Sequence, residues 1–293
     1  MSASDIKEIV VNRILELCEK DNLLPWMRPW RLSGEFPCNL DTKHVYRGVN
    51  AIMLLMAPYG SPYYLTFKGI KARELSIKKG EKPWPIYFCQ YPKKGEVDKN
   101  GKPKFPIVRF YKVWNVDQLE GDIKLPVKKD DGVKHDPIKA CEDIIAGYKD
   151  GPEISIGGNR ACYSPSIDKI SMPKMEQFNK VEEYYSILFH EFSHSTAAES
   201  RLNRESLKNS KVFGDRNYSE EELIAEFGSS ILCAMAGIEK VTIENSAAYI
   251  KSWMSKLKDD KLLLFRAAQQ AQKSCDLILG NFFQEVESAD EAA

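Results

Sequence analysis

Two histidines flank a glutamate in the run His190-Glu191-Phe192-Ser193-His194. Four residues apart on a helix, they lie on one face, one turn above the other. Both imidazoles can then reach a single Zn²⁺ at about 2.0–2.1 Å. Glu191 falls on the flank of that face. There its carboxylate can take a proton from metal-bound water, which the metal itself makes acidic. The chain has only 4 histidines, and two of them form this pair around a carboxylate. A metal site is therefore a better reading than a chance pattern on an amphipathic helix. The expected cation is zinc, with manganese as the alternative, and the expected base is Glu191.

A helix must carry these residues, and apolar spacing predicts one over Val181 to Ala198, packed through Tyr185, Leu188, Phe189 and Phe192. A catalytic zinc also needs a third protein ligand and an open position. No histidine follows His194, which excludes the metzincin pattern. The candidates are carboxylates on a second predicted helix, Glu220 to Ala236, where Glu222 and Glu226 share a face. Glu222 begins a Glu-x-x-Ala-Glu stretch that resembles the Glu-x-x-Ala-Asp of gluzincin peptidases. That resemblance assigns Glu222 to the metal and Glu226 to orienting a ligand histidine. Glu220 and Glu221 read as a solvated acidic face, because Leu223, Ala225 and Phe227 mark the rest of the turn as buried.

The remaining elements divide in two. Helices are expected from Ile6 to Leu24, stopped by Pro25, and from Asn50 to Met56. From Tyr63 to Val116 the chain is aromatic and β-branched, broken by Gly and Pro, as in short strands with a hairpin tip at Asn100-Gly101. The charged stretch Asp122 to Pro137 is poor in apolar residues and marks a boundary. Beyond it come a helix near Ala140 to Tyr148 and a short β-like stretch from Ile154 to Ile170. The two helices above follow, and then helical periodicity from Ala247 to Leu279, with a break. The fold expected is α+β in two domains. Residues 1–130 form a mixed α/β unit, and residues 131–293 form a mainly helical one ending in an acidic and alanine-rich tail.

A net charge of zero hides an asymmetry: residues 1–130 hold 23 Lys and Arg against 15 Asp and Glu, and residues 131–293 hold 19 against 27. The first half also carries 16 of the 31 aromatics and four of the 5 tryptophans. Rings interleaved with cations suit single-stranded nucleic acid, whose bases stack while Lys and Arg neutralise phosphates. No recognition helix or finger motif for duplex DNA is visible. The competing reading is that Trp26, Phe67, Phe88 and Phe110 are simply core.

The ordered set of motifs resembles the ArdC-type antirestriction proteins of plasmids and related mobile elements. The first half shows Trp26-Met27-Arg28-Pro29-Trp30, Phe36-Pro37-Cys38-Asn39, Tyr46-Arg47-Gly48-Val49-Asn50, Leu65-Thr66-Phe67, Lys79-Gly80-Glu81 and Val113-Trp114-Asn115-Val116-Asp117-Gln118. The second shows Asp168-Lys169-Ile170-Ser171-Met172-Pro173, the histidine pair, Arg201-Leu202-Asn203-Arg204, and Tyr218-Ser219-Glu220-Glu221-Glu222-Leu223-Ile224-Ala225-Glu226. The resemblance implies a single-stranded-DNA-binding domain followed by a zincin-like metallopeptidase domain. The implied protein protects incoming DNA against host restriction. The DNA contacts expected within these strings are Trp26, Arg28, Trp30, Tyr46, Arg47, Asn50 and Lys79. Two other functions fit the residues: a single-strand-binding protein whose metal is only structural, and a metallopeptidase whose basic half docks an acidic protein or peptide substrate.

Seven scattered cysteines, never spaced Cys-x-x-Cys, read as free thiols of a reducing compartment. No run approaches the roughly 18 to 20 apolar residues of a membrane span. The N-terminus lacks a secretory plan, so the expected location is the cytoplasm and no membrane partner is expected.

Overall fold

A computed structural model describes residues 3–21, 36–90, 107–126, 136–208, 216–238 and 247–280. Trp26, Arg28, Trp30, the Asn100-Gly101 tip and the acidic tail lie outside the described residues.

The first half contains helix α1 (Ala3–Asp21), strand β1 (Cys38–Asn39), helix α2 (Gly48–Leu55), β2 (Tyr63–Thr66), α3 (Phe67–Ala72), β3 (Ser76–Ile77), β4 (Trp84–Gln90), β5 (Ile107–Asn115) and β6 (Leu119–Glu120). Four strands form a mixed sheet in the order β1-β2-β5-β4, and β3 pairs with β6 in a separate two-stranded ribbon. β4 and β5 run antiparallel from Trp84 opposite Val113 to Gln90 opposite Ile107. Side chains alternate faces along a strand, so Trp84, Ile86 and Phe88 share a face with Val113, Tyr111 and Arg109.

The second half is mainly helical: α4 (Pro137–Gly147), α5 (Val181–Ser195), α6 (Glu205–Lys208), α7 (Arg216–Ala236), α8 (Ala247–Asp259) and α9 (Leu263–Ile278). Strands β7 (Glu153–Ile156), β8 (Cys162–Ser164) and β9 (Lys169–Met172) form a three-stranded sheet in the order β7-β9-β8. α4 starts cleanly because the Asp136 carboxylate accepts from the amides of Ile138 and Lys139, with Pro137 in the first turn. Glu182 and Glu183 sit in the first turn of α5, where the helix dipole favours anions.

The α+β class and the two-part arrangement match the sequence expectation. One hydrophobic core, however, runs through both halves. It joins Val10 and Ile14 of α1, Tyr64, Trp84 and Val113 of the sheet, Phe189 and Phe192 of α5, Phe227 of α7 and Ala268 of α9. A smaller core under α3 gathers Leu40, Leu65, Ile70 and Trp114. α5 and α7 pack so closely that a Cβ on Gly228 would lie 2.3 Å from the Ser193 Oγ. That approach needs glycine, and it brings the first turns of α7 onto the histidine face of α5.

Candidate metal centre

His190 and His194 project from the second half of α5, and their Nε2 atoms are 3.1 Å apart. From α7, the Glu222 carboxylate brings one oxygen to 3.6 Å from the His190 Nε2 and the other to 3.5 Å from the His194 Nε2. Two donors on one tetrahedral zinc, each at about 2.0–2.1 Å, stand roughly 3.3 Å from each other. The two imidazoles and the carboxylate therefore already converge closely enough to share one cation. Among the described residues this is the one group of three or more His, Cys, Asp or Glu side chains so placed. Two imidazoles and a carboxylate suit zinc or manganese and offer nothing selective for soft thiophilic metals.

The outer nitrogens of the histidines meet carboxylates as well. A Glu226 oxygen lies 3.8 Å from the His190 Nδ1, with the residue 6% exposed. A Glu221 oxygen lies 3.4 Å from the His194 Nδ1. Glu221 was expected on a solvated face, yet it is 2% exposed and forms a buried fork with Arg204. The expectation failed because the partner that makes burial of this charge tolerable comes from a turn after α5, remote in sequence. Burial raises the Glu221 pKa, but the bonds from His194 and Arg204 and their charges outweigh it and hold the carboxyl at about 2. Burial lowers the His194 pKa, but Glu221, with the charges of Glu222 and Glu191, lifts the imidazole to about 9. Glu220, also expected in solvent, is partly buried and forks with Arg266 of α9.

Glu191 leaves the same turn of α5 on its flank. One of its oxygens accepts from the backbone amide of Tyr163 on β8 at 2.8 Å, which ties the carboxylate to the edge strand of the small sheet. Tyr163 is held in turn, its hydroxyl donating to Asp168 at 2.8 Å while Asp168 pairs with Arg201. Sequence reasoning assigned Tyr163 no role at the site, because its contribution is a main-chain N–H.

The expected DNA contacts fare differently. Tyr46 is 4% exposed, edge-on to Tyr64, so its ring is a core element and not a stacking surface. The Arg47 guanidinium reaches Asp276 on α9 at 2.6 Å. Asn50 donates to the Tyr87 carbonyl at 2.6 Å and accepts from the Tyr87 amide at 2.7 Å, covering the free edge of β4. Arg47 and Asn50 thus join α2 to the rest of the fold. Lys79 is exposed. The reading of Phe67 and Phe88 as core is overturned, since they are 52% and 47% exposed. Phe88, Tyr111 at 40% exposed, and the exposed Arg109 share one face of the β4–β5 pair, and sequence reasoning did not assign them to DNA. Cys18, Cys38, Cys141, Cys162, Cys233 and Cys275 are free thiols, and no described helix is long and apolar enough to cross a membrane.

Two family models match the chain: the N-terminal domain of the anti-restriction factor ArdC over residues 4–116, and a zincin-like metallopeptidase over residues 140–270. The crystal structure of the antirestriction protein ArdC from the R388 plasmid, metal-free, is similar with a TM-score of 0.71 and 33% identity, over 94% of this chain and 96% of that one. Its Mn(II)-bound form matches with a TM-score of 0.69. The chain is also 33% identical, over 93% of its length, to the DNA primase TraC of Escherichia coli, but it spans only 27% of that protein. An uncharacterized protein of Sinorhizobium fredii, y4eC, is 29% identical and is matched over 91% of its length. With the two parts in the same order and a solved relative covered almost end to end, the chain belongs to the ArdC-type antirestriction proteins.

Proposed function

We propose that this protein binds single-stranded DNA through residues 1–130 and holds a divalent cation, zinc or manganese, in a peptidase-like site within residues 131–293. It would act in the cytoplasm to protect incoming DNA from restriction. His190, His194 and Glu222 are the ligands, Glu226 faces the outer nitrogen of His190, and Glu191 is the base. The observation that carries this reading is the convergence of the two Nε2 atoms, 3.1 Å apart, with the Glu222 carboxylate, whose two oxygens stand 3.5 and 3.6 Å from them. The bound cation would supply an acidic water and polarise a carbonyl. Glu191, held by the Tyr163 amide, accepts the proton, and the tied edge strand keeps that carboxylate beside the histidines. The Mn(II)-bound relative and the zincin-like family model support a divalent metal. The presence of a similar segment in a DNA primase, together with the basic, aromatic first half, supports DNA as the partner.

Single-stranded binding is best placed on the open end of the β4–β5 face, where Phe88 and Tyr111 can stack on bases and Arg109 can meet phosphate. Metal content and anisotropy with single-stranded and duplex oligonucleotides, on one sample of the full chain, test the whole reading. The full chain is needed because the shared core would be cut by isolating either half. The expected result is one bound metal and tighter, salt-sensitive binding of the single strand. Equal affinity for the two DNA forms would refute the first half, and a protein that takes up neither Zn²⁺ nor Mn²⁺ would refute the second.

A further inference from the structure

The turn Arg201-Leu202-Asn203-Arg204 lies between α5 and α6; its first arginine pairs with Asp168 and its second forks onto Glu221. Asn203 adopts a left-handed backbone at φ 50°, which turns the chain back beneath α5. Arg204 then enters the protein and is 5% exposed. Its five N–H donors are all engaged. Nε donates to one Glu221 oxygen at 3.0 Å, and Nη2 donates to the other. Nη2 also meets the Ser193 carbonyl at 2.8 Å, an acceptor in the last turn of α5. Nη1 donates to Thr196 Oγ1 at 2.6 Å and Ser274 Oγ at 3.0 Å. Such a guanidinium cannot swing, and neither can the carboxylate in its fork.

Glu221 has a further donor in Ser206, whose Oγ stands at 2.6 Å. Its remaining approach is to the His194 Nδ1 at 3.4 Å. An anion fixed at that nitrogen makes Nδ1 the protonated one and leaves the Nε2 lone pair aimed at Glu222 and His190. We propose that Arg204 is a positioning residue for the metal ligand His194, acting through the buried carboxylate of Glu221. The proposal rests on the metal-site reading. It makes the turn after α5 part of what sets metal affinity, although Arg204 touches no ligand.

Arg201 supplies the control. It belongs to the same turn, its side chain is 4% exposed, and it donates to the Ser195 carbonyl and to Asp168, but its bonds reach neither Glu221 nor a histidine. A purely structural role predicts that losing either arginine does the same harm. The test is Mn(II) affinity of the full chain, read from the free-ion signal in electron paramagnetic resonance, with melting of the metal-free forms alongside.

Glu221→Gln and Arg204→Met are each expected to lose about 10–100-fold in affinity. The double variant should lose no more than the worse single one, because both act on one bond. Arg201→Met should melt lower yet bind Mn(II) within about twofold of the original, the scatter of an uncoupled site. If Arg204→Met does not fold, Arg204→Lys and Ser206→Ala keep both charges in place and must still weaken Mn(II) binding relative to Arg201→Met. The proposal is overturned if folded Glu221→Gln binds like the original, if the two losses multiply, or if Arg201→Met loses as much as Arg204→Met. An original chain that takes up no metal overturns the site reading and this inference together. A metal-binding chain indifferent to Glu221 overturns this inference alone.

Discussion

Protons and metal compete for His194, and the competition has a slope that can be measured. In the metal-free protein the imidazole titrates at about 9, against an ordinary 6.5, because Glu221, Glu222 and Glu191 outweigh the cost of burial. A metal requires the neutral ring, so below that pH each binding event must expel a proton. Apparent affinity should therefore climb by about tenfold per pH unit, or about 1.4 kcal/mol. From pH 6.5 to 8.5 the gain is about 100-fold, whereas a histidine at its ordinary value would flatten the curve above about pH 7. The metal-free protein must show the opposite trend. A folded pKa above the unfolded one contributes stability that is complete below 6.5 and lost as pH rises through about 9. Glu221, depressed to about 2 from 4.5, contributes stability that is present above 4.5 and lost as pH falls through about 2. Calorimetric titration with Mn(II) in buffers of different ionisation enthalpy gives both affinity and protons released, with about one proton expected at pH 7. Affinity that stays flat between pH 6.5 and 8.5 would refute the reasoning, since it would mean that His194 is already neutral.

Glu191→Gln should retain metal and fold while abolishing any peptide hydrolysis, because the acceptor of the water proton is gone; metal analysis and a peptidase panel check this. Phe88→Ala and Tyr111→Ala should each weaken single-strand binding by about 1–3 kcal/mol in anisotropy titrations, with melting unchanged. Tyr46→Ala should do the reverse, lowering stability by about 3–5 kcal/mol as a large core truncation, read by denaturant unfolding. Gly228→Ala should cost about 1–3 kcal/mol through overpacking against Ser193 and weaken metal uptake as α7 is pushed from α5.

Much of the fold was legible because long helices announce themselves. The periodic burial of Tyr185, Leu188, Phe189 and Phe192 was readable on α5, and that spacing alone puts the histidine pair on a helix. The strands were legible as a region, since β-branched and aromatic residues from Tyr63 to Val116 suit a pleated surface. What is covered on that surface was not. Trp84 and Phe88 lie on the same face of β4, yet Trp84 is fully buried beneath Arg13 of α1 while Phe88 is open. Alternation along a strand assigns faces, but only the distant helix decides how far along a face the cover extends. Tyr46 was misread for the same reason: an aromatic beside an arginine looks like a DNA contact until Tyr64 and α2 close around it.

The site shows the same limit at the scale of single residues. Glu220, Glu221 and Glu222 are adjacent acids, and successive helical residues are rotated by roughly 100°. They must therefore point in three directions, and composition cannot rank those directions. Glu222 faces the histidines, Glu221 turns inward to Arg204, and Glu220 turns to Arg266. The available signal was the second arginine of Arg201-Leu202-Asn203-Arg204, a cation in a short turn that needs an anion if it is buried. Three single amide substitutions separate the three fates. Glu220→Gln breaks a pair whose arginine side chain is 36% exposed, so solvent screening limits the loss to about 0–1 kcal/mol and metal affinity should hold. Glu222→Gln should remove most of the metal affinity with little change in melting of the metal-free form, because a ligand charge is lost while the packing stays. Glu221→Gln should lower both, since it removes the counter-charge of a buried arginine as well as the anchor of His194. Metal titrations and melts on the three proteins decide the matter, and a Glu220→Gln protein that loses metal as Glu222→Gln does would show that α7 is rotated from the orientation described.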